Sequence, residues 1–136
     1  MKALKKLAVI FVALLALAGC IKGNFEFSDF GNGTTIKVKD ADDNSFGEGL
    51  VITIGKNESV VISSSLDKGQ LKIEFMEVVV YTIDDTDQVD ELGIKETIIV
   101  NPADSITIDL EPGSYRLDCT TIGTTNGTVS VKTEKK

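Results

Sequence analysis

Gln70-Leu71-Lys72-Ile73-Glu74-Phe75-Met76 is the stretch that decides the fold. Leu71, Ile73 and Phe75 alternate strictly with Lys72, Glu74 and Met76. Successive side chains leave a strand on opposite sides, so this is a strand with one face on a core and the other in water. The same period spreads outward in both directions. Ile36 and Val38 alternate with Lys37 and Lys39, and Ile106, Ile108 and Leu110 with Thr107 and Asp109. Tyr115, Leu117 and Cys119 alternate with Arg116, Asp118 and Thr120, and Val129 and Val131 with Ser130 and Lys132. Leu50–Ile54, Ser59–Ser63 and Val78–Ile83 are more continuously apolar, as suits strands covered on both sides. Thr97–Val100 is a further short candidate.

The punctuation between these runs is turn chemistry. Glu111-Pro112-Gly113-Ser114 places Pro and Gly at the centre of a type II turn. Asn126-Gly127 is a strong hairpin signal before the last strand, and Asp67-Lys68-Gly69 fits a three-residue loop with Gly in the left-handed position. Gly55-Lys56-Asn57-Glu58 closes another tight connection. No segment after residue 20 carries a 3.6-residue apolar repeat; Thr86–Gly93 is the one stretch that fits a single helical turn. About eight short strands with frequent turns predict an all-β, two-sheet antiparallel sandwich, jelly-roll-like over residues 25–136. An immunoglobulin-like sandwich is the alternative, although the chain has no Trp for the core of that family.

The N-terminus answers a different question. Lys2, Lys5 and Lys6 precede an apolar run from Leu7 to Ala18, too short for a stable membrane-spanning helix. Leu17-Ala18-Gly19-Cys20 follows and resembles a bacterial lipobox. Residues 1–19 thus read as a lipoprotein signal peptide, and Cys20 as the lipidated residue that anchors the chain to the membrane. The expected location is the extracytoplasmic face of the cell membrane. Residues 20–24 are a short tether that reaches roughly 15 Å, which holds the domain close to the bilayer. Lys132, Lys135 and Lys136 form a basic end expected to face that bilayer.

Cleavage before Cys20 removes three lysines and no acid, which leaves 11 basic and 21 acidic residues, a net charge of −10. Such a surface repels nucleic acid and anionic head groups, so no nucleic-acid partner is expected. The chain has no histidine. Ser-His-Asp and Cys-His catalysis and imidazole zinc sites are therefore excluded. A paired-carboxylate hydrolase needs a cleft with one desolvated carboxyl, whereas the acids here fall in loops and on strand exteriors. No enzyme activity and no catalytic residue are expected. With Cys20 acylated, Cys119 has no partner for an internal disulfide, and its phase with Tyr115 and Leu117 makes it a core residue.

Two acidic segments remain as candidate cation sites. Asp40, Asp42 and Asn44 resemble the opening of an EF-hand loop, but Ser45 and Val51 stand where the turn Gly and the bidentate Glu belong. Asp84, Asp85 and Asp87 open a second segment, Asp84–Glu91, with five carboxylates in eight residues. Calcium is the one cofactor these residues suggest; none is otherwise expected. The plainer reading of both is a solvated loop that blunts strand edges. Carbohydrate binding would need aromatic platforms. Tyr81 and Tyr115 fall at inward positions, and Phe25, Phe27, Phe30 and Phe46 are expected to close the ends of the sandwich. Asn32, Asn57 and Asn126 begin Asn-x-Ser/Thr triplets that serve as turn residues.

Val60–Ile73 and the later Pro112-Gly113-Ser114-Tyr115-Arg116-Leu117 and Asn126–Val131 resemble small Gram-positive lipoproteins in which a compact β-sandwich follows the lipobox directly. The Gly-Ser-Tyr-x-Leu strand start is also similar to secreted pre-peptidase-like sandwich domains. Neither resemblance carries functional residues onto this chain. What they imply is a non-catalytic, membrane-anchored surface lipoprotein that binds or assists a protein or cell-wall partner. A calcium- or carbohydrate-binding sandwich using the acidic loops is the alternative.

Overall fold

A computed structural model describes residues 24–136. Residues 1–19, read above as a signal peptide, and Cys20 lie outside the described residues. Seven strands make up the domain: β1 (Phe25–Asp29), β2 (Gly33–Ala41), β3 (Phe46–Ile54), β4 (Glu58–Ile83), β5 (Thr86–Val100), β6 (Ser105–Ile108) and β7 (Gly113–Lys135). All pairings are antiparallel. The fold is all-β and sandwich-like, as the alternation predicts.

Its two layers are parts of one continuous sheet. β4 and β7 pair with each other along nearly their whole length, from Glu58↔Lys135 to Val78↔Ser114. The Glu58–Leu66 half of β4 and the Thr125–Lys135 half of β7 carry β6, β2 and β1 on their flanks, forming layer one. The Gln70–Ile83 half of β4 and the Gly113–Ile122 half of β7 carry β5 and β3, forming layer two. Between the halves the ladder folds over, and its register slips at Leu66/Lys68 and again at Lys68/Gln70.

Here the structure corrects the strand reading. Asp67-Lys68-Gly69 and Asn126-Gly127 are not hairpin loops but the bends where β4 and β7 cross from one layer to the other. Ser59–Ser63 and Gln70–Met76 do not pair with each other; both pair with β7. A bulge and a hairpin call for the same residue, one that accepts positive φ, so local chemistry cannot separate them. Gly69 (φ 79°) and Gly127 (φ 133°) serve the bend in two ways. A Cβ on Gly127 would sit 2.5 Å from the Leu66 Cα, and one on Gly69 would meet Thr124 and Thr125. The two strands lie too close there for any side chain.

The core lies between the layers. Ile36, Val38, Val60, Ile62, Val129 and Val131 from layer one meet Ile52, Ile54, Leu71, Ile73, Phe75, Tyr115, Leu117 and Cys119 from layer two, all buried. Phe25 and Phe27 stack at 5.8 Å between centroids and lie across β3 where it is flattest. A Cβ on Gly47 would be 2.7 Å from the Phe25 ring, and one on Gly49 would be 3.1 Å from Phe27. Full burial of Phe25 is worth about 2–3 kcal/mol. Cys119 is fully buried with Sγ 3.8 Å from the Leu117 carbonyl. Burial and the neighbouring Asp118 charge push its thiol well above the usual range. The outer face of layer one is hydroxyl-rich: Ser28, Thr35, Ser130, Ser63 and Ser105 stand in one rank across five strands.

Chain direction fixes two ends. Asn24, the β2–β3 connection, Asp67–Gly69 and Gly123 cluster at the bend. Lys135, which pairs with Glu58, lies eight residues along β7 from Gly127, about 26 Å away. The basic C-terminal end and the point of chain entry at Asn24 are therefore at opposite ends of layer one.

Candidate functional site: the projecting β4–β5 arm

β4 and β5 do not stop where the sandwich stops. Past Val78↔Ser114, β4 has no β7 partner, and only β5 accompanies it: Val79↔Asp90, Val80↔Val89, Tyr81↔Gln88, Thr82↔Asp87 and Ile83↔Thr86. Five pairs at 3.3 Å make an arm about 17 Å long. Asp84 (φ 51°) and Asp85 (φ 62°) close it as a two-residue turn with both residues left-handed, the geometry of a type I′ hairpin. Of the segment expected as an acidic loop, only these two are loop. Asp87 and Asp90 are strand residues on opposite faces, and Thr86–Gly93 is strand, not a helical turn. The β-branched Val78-Val79-Val80 and Ile83 and the turn-forming aspartates outweigh any helical tendency.

Directly opposed residues share a face. Val79, Tyr81 and Ile83 continue the face that carries Leu71, Ile73 and Phe75 in the core, but layer one does not reach over them. Val79 is 44% exposed and Ile83 52%. Leu92, at one of two bulges of β5 against β4, and Ile94, beside the other at Lys95, are also exposed. Tyr81, expected to face inward, is half-buried on this open face, and its hydroxyl donates to Asp90 Oδ1 at 3.2 Å. Thr82 Oγ1 donates to Asp87 Oδ1 at 3.0 Å. From Glu77 to Glu96 the arm and its base carry seven carboxylates against one cation, Lys95.

The base of the arm is held by the only arginine in the chain. Arg116 lies on the outer side of layer two with 12% of its side chain exposed. Its Nε donates to Asp118 Oδ1 at 2.8 Å and its Nη2 to Asp118 Oδ2 at 2.9 Å. Nη2 also reaches Glu91 Oε2 at 2.6 Å, and Nη1 lies 3.8 Å from Glu48 Oε2. One guanidinium thus ties β7 to Glu91, in the pair just below the arm, and to edge strand β3. Its hydrogen bond to Asp118 raises the pKa of the guanidinium further, so it stays charged throughout. Arg116 and Asp118 are two apart on a strand and so share a face, a signal present in the sequence. Their pairing with Glu91 was not legible, because it depends on which strand lies beside which.

On the inner side of the arm base a cleft of about 460 Å³ opens between Glu77, Lys95, Asp109, Glu111 and Tyr115. Tyr115 closes its floor; the phenol donates to the Glu111 carbonyl at 2.6 Å. Burial, then the Glu77 and Glu111 charges, push that hydroxyl pKa up.

The first acidic segment lies at the bend. Several of its groups are engaged locally: Asp43 Oδ1 accepts from the Gly123 N–H at 2.6 Å, and the Asp42 carbonyl accepts from Ser45 Oγ. Asp40 lies 3.9 Å from Lys68 Nζ, and the Asn44 N–H donates to the Thr121 carbonyl. Along β4 the arm tip is twelve residues from Leu71, the partner of Thr121, about 40 Å. Asp40, Asp42 and Asn44 therefore do not meet Asp84, Asp85 and Asp87. Among the described residues no three His, Cys, Asp or Glu groups are placed to hold one metal ion. The aromatics divide: Phe25 and Phe27 close the sandwich as expected, whereas Phe30 and Phe46 are 44% and 53% exposed. Phe30 adjoins Gly33 and Phe46 pairs with Thr120, at opposite ends of the molecule, so they form no shared platform.

No protein-family model and no curated protein matches the chain. Among solved structures, it is similar to a chain described as "Crystal structure of accessory secretory protein 1,2 and 3 in Streptococcus pneumoniae". Identity is 14% over 82% of this chain and 88% of that one, with a TM-score of 0.31. At that level the likeness carries nothing further, and the reading below rests on this chain's own residues.

Proposed function

We propose that the protein is a non-catalytic surface lipoprotein, anchored at the extracytoplasmic face through Cys20, whose arm engages a protein partner away from the membrane. The observation that carries this is the opposition of two ends. The chain enters at Asn24, whose carbonyl accepts the Lys39 N–H at 3.0 Å beside the bend. The arm tip lies at the other end of layer two. A tether of roughly 15 Å cannot turn the domain over, so a lipid at Cys20 places the bend nearest the bilayer and the arm outermost. The acids of the segment Glu77–Glu96 favour the same standing posture, because anionic head groups repel the arm. This orientation differs from the expectation that Lys132, Lys135 and Lys136 face the bilayer.

The absence of histidine and the inert, buried Cys119 support a non-catalytic role. An exposed apolar face on a projecting hairpin supports a binding one. Isolated two-stranded hairpins are marginal in water, and none of residues 79–90 belongs to the core. The arm therefore adds nothing to the sandwich that would account for its length.

The test has two parts, both on the full chain in its own envelope. Mass spectrometry is expected to find a mature N-terminus at acylated Cys20, and Cys20→Ser to abolish the acylation. A photo-crosslinking side chain placed at Gln88 on the arm is expected to give a discrete protein adduct, and one at Thr35 on layer one none. An unprocessed chain, or no adduct from either position, refutes the reading.

A further inference from the structure

We infer that the free edge of β5, over Thr86–Glu91, takes up a cationic, extended polypeptide segment as an additional strand. This rests on the binding-arm reading above and names the partner's chemistry. Among the described residues β5 pairs with β4 alone and is the last strand of its sheet, so its outward N–H and C=O groups are open to another chain. The two bulges of β5 fall at Leu92 and Lys95, leaving Thr86–Glu91 as an unbroken run of edge.

Charge chooses the occupant. The segment Glu77–Glu96 carries seven acids against Lys95, and counting Arg116, which clasps Glu91, still leaves a net charge of −5. Two such arms repel, so the occupant is not a second copy; like charges directly opposite one another in a sheet are destabilising. Nucleic acid and anionic lipid are repelled for the same reason. A metal ion does not satisfy the arm either, because Asp87 and Asp90 point to opposite faces. A strand alternating basic and apolar residues fits both faces. Alternation puts its cationic heads on one face, where they meet Asp87 and lay their stems over Val89, beside the Glu91 that Arg116 already holds. On the other, the apolar side chains lie towards the open face of Val79, Tyr81 and Ile83. The acids that protect the edge against self-pairing are thus the ones that select a basic strand.

The test uses the full chain in detergent micelles and three end-capped eight-residue peptides: alternating lysine–valine, glutamate–valine and lysine–proline. Fluorescence anisotropy gives affinities. The lysine–valine peptide is expected to bind at least tenfold more tightly than the other two, because glutamate–valine reverses the charge and lysine–proline, with φ fixed at about −65° and no N–H at every second residue, cannot form a regular strand. Asp84→Asn, Asp85→Asn, Asp87→Asn and Asp90→Asn together are expected to weaken it at least tenfold, with circular dichroism confirming the fold. Equal binding of the lysine–proline peptide, or unchanged binding to the neutralised arm, overturns the inference. A chain that crosslinks to an envelope protein from Gln88 yet prefers the glutamate–valine peptide would keep the binding arm and remove only its cationic partner.

Discussion

Replacing Arg116 by Met removes the charge that three carboxylates share while keeping most of the side chain's apolar length. Asp118 then stands with 8% of its side chain exposed and no cation beside it. Glu48 on β3 and Glu74 on β4 are its direct cross-strand neighbours, so three acids occupy one row. Breaking a buried ion pair by deleting one partner costs about 3–5 kcal/mol. Glu91 is 54% exposed and the Glu48 contact is long, so those two pairs add no more than about 1 kcal/mol each. We take about 3 kcal/mol, since Asp118 gains some hydration once the guanidinium is gone. At an unfolding entropy of about 2.1 cal/mol/K per residue, the 113 described residues convert this to a Tm lower by about 12 °C. With a urea m-value of about 1.5 kcal/mol/M, the midpoint falls by about 2 M. The double variant Arg116→Met/Asp118→Leu is expected to recover most of the loss, because an apolar pair of similar volume needs no compensation. Urea melts followed by circular dichroism measure both. A single variant within 1 kcal/mol of the parent, or a double variant as unstable as the single, would refute the assignment of Arg116 as the clasp.

Three further outcomes follow from the same geometry. Excision of Val79–Asp90, with Asn-Gly joining Val78 to Glu91, leaves the sandwich folded with a Tm within about 4 °C of the parent, equivalent to less than about 1 kcal/mol; a scanning calorimeter decides it, and loss of the transition would make the arm part of the core. Above pH 9 the unfolded chain releases the Cys119 proton while the buried thiol keeps its own, so proton release favours unfolding. Stability is then intact below pH 9 and falls by about 1.4 kcal/mol per pH unit above it; Cys119→Val is expected to flatten that slope in urea melts at pH 8, 9 and 10. Five millimolar calcium added after chelation leaves Tm unchanged, since the carboxylates do not converge. A saturable rise that Asp42→Asn abolishes would restore a calcium site.

How far the sequence could be read depends on the range of each signal. The phase of Leu71, Ile73 and Phe75, of Ile36 and Val38, and of Tyr115, Leu117 and Cys119 reports which side faces the core, and the structure places each of these residues inside. That information is local. Asp67-Lys68-Gly69 and Asn126-Gly127 were readable as sites of positive φ but not as bends, because a strand that continues and a strand that turns back differ only in a distant partner. The arm was hidden for a related reason. Val78–Ile83 was legible as an apolar strand, and Asp84–Glu91 as acidic, but an acidic stretch reads as a loop unless its valine partners are known. Arg116-Leu117-Asp118 held the one local clue to the clasp. Its meaning came only when β5 brought Glu91 alongside.

The central claim is that the tethered end and the arm face opposite ways, and a distance to the bilayer tests it most directly. The acylated chain, carrying Cys119→Ala and a single dye at either Asp43→Cys or Asp85→Cys, is reconstituted on vesicles whose head groups bear an energy-transfer acceptor. With about 40 Å separating the two positions along the strands, strong quenching is expected at residue 43 and little at residue 85. Equal quenching at both, or stronger quenching at 85, would lay the arm on the membrane and contradict the account.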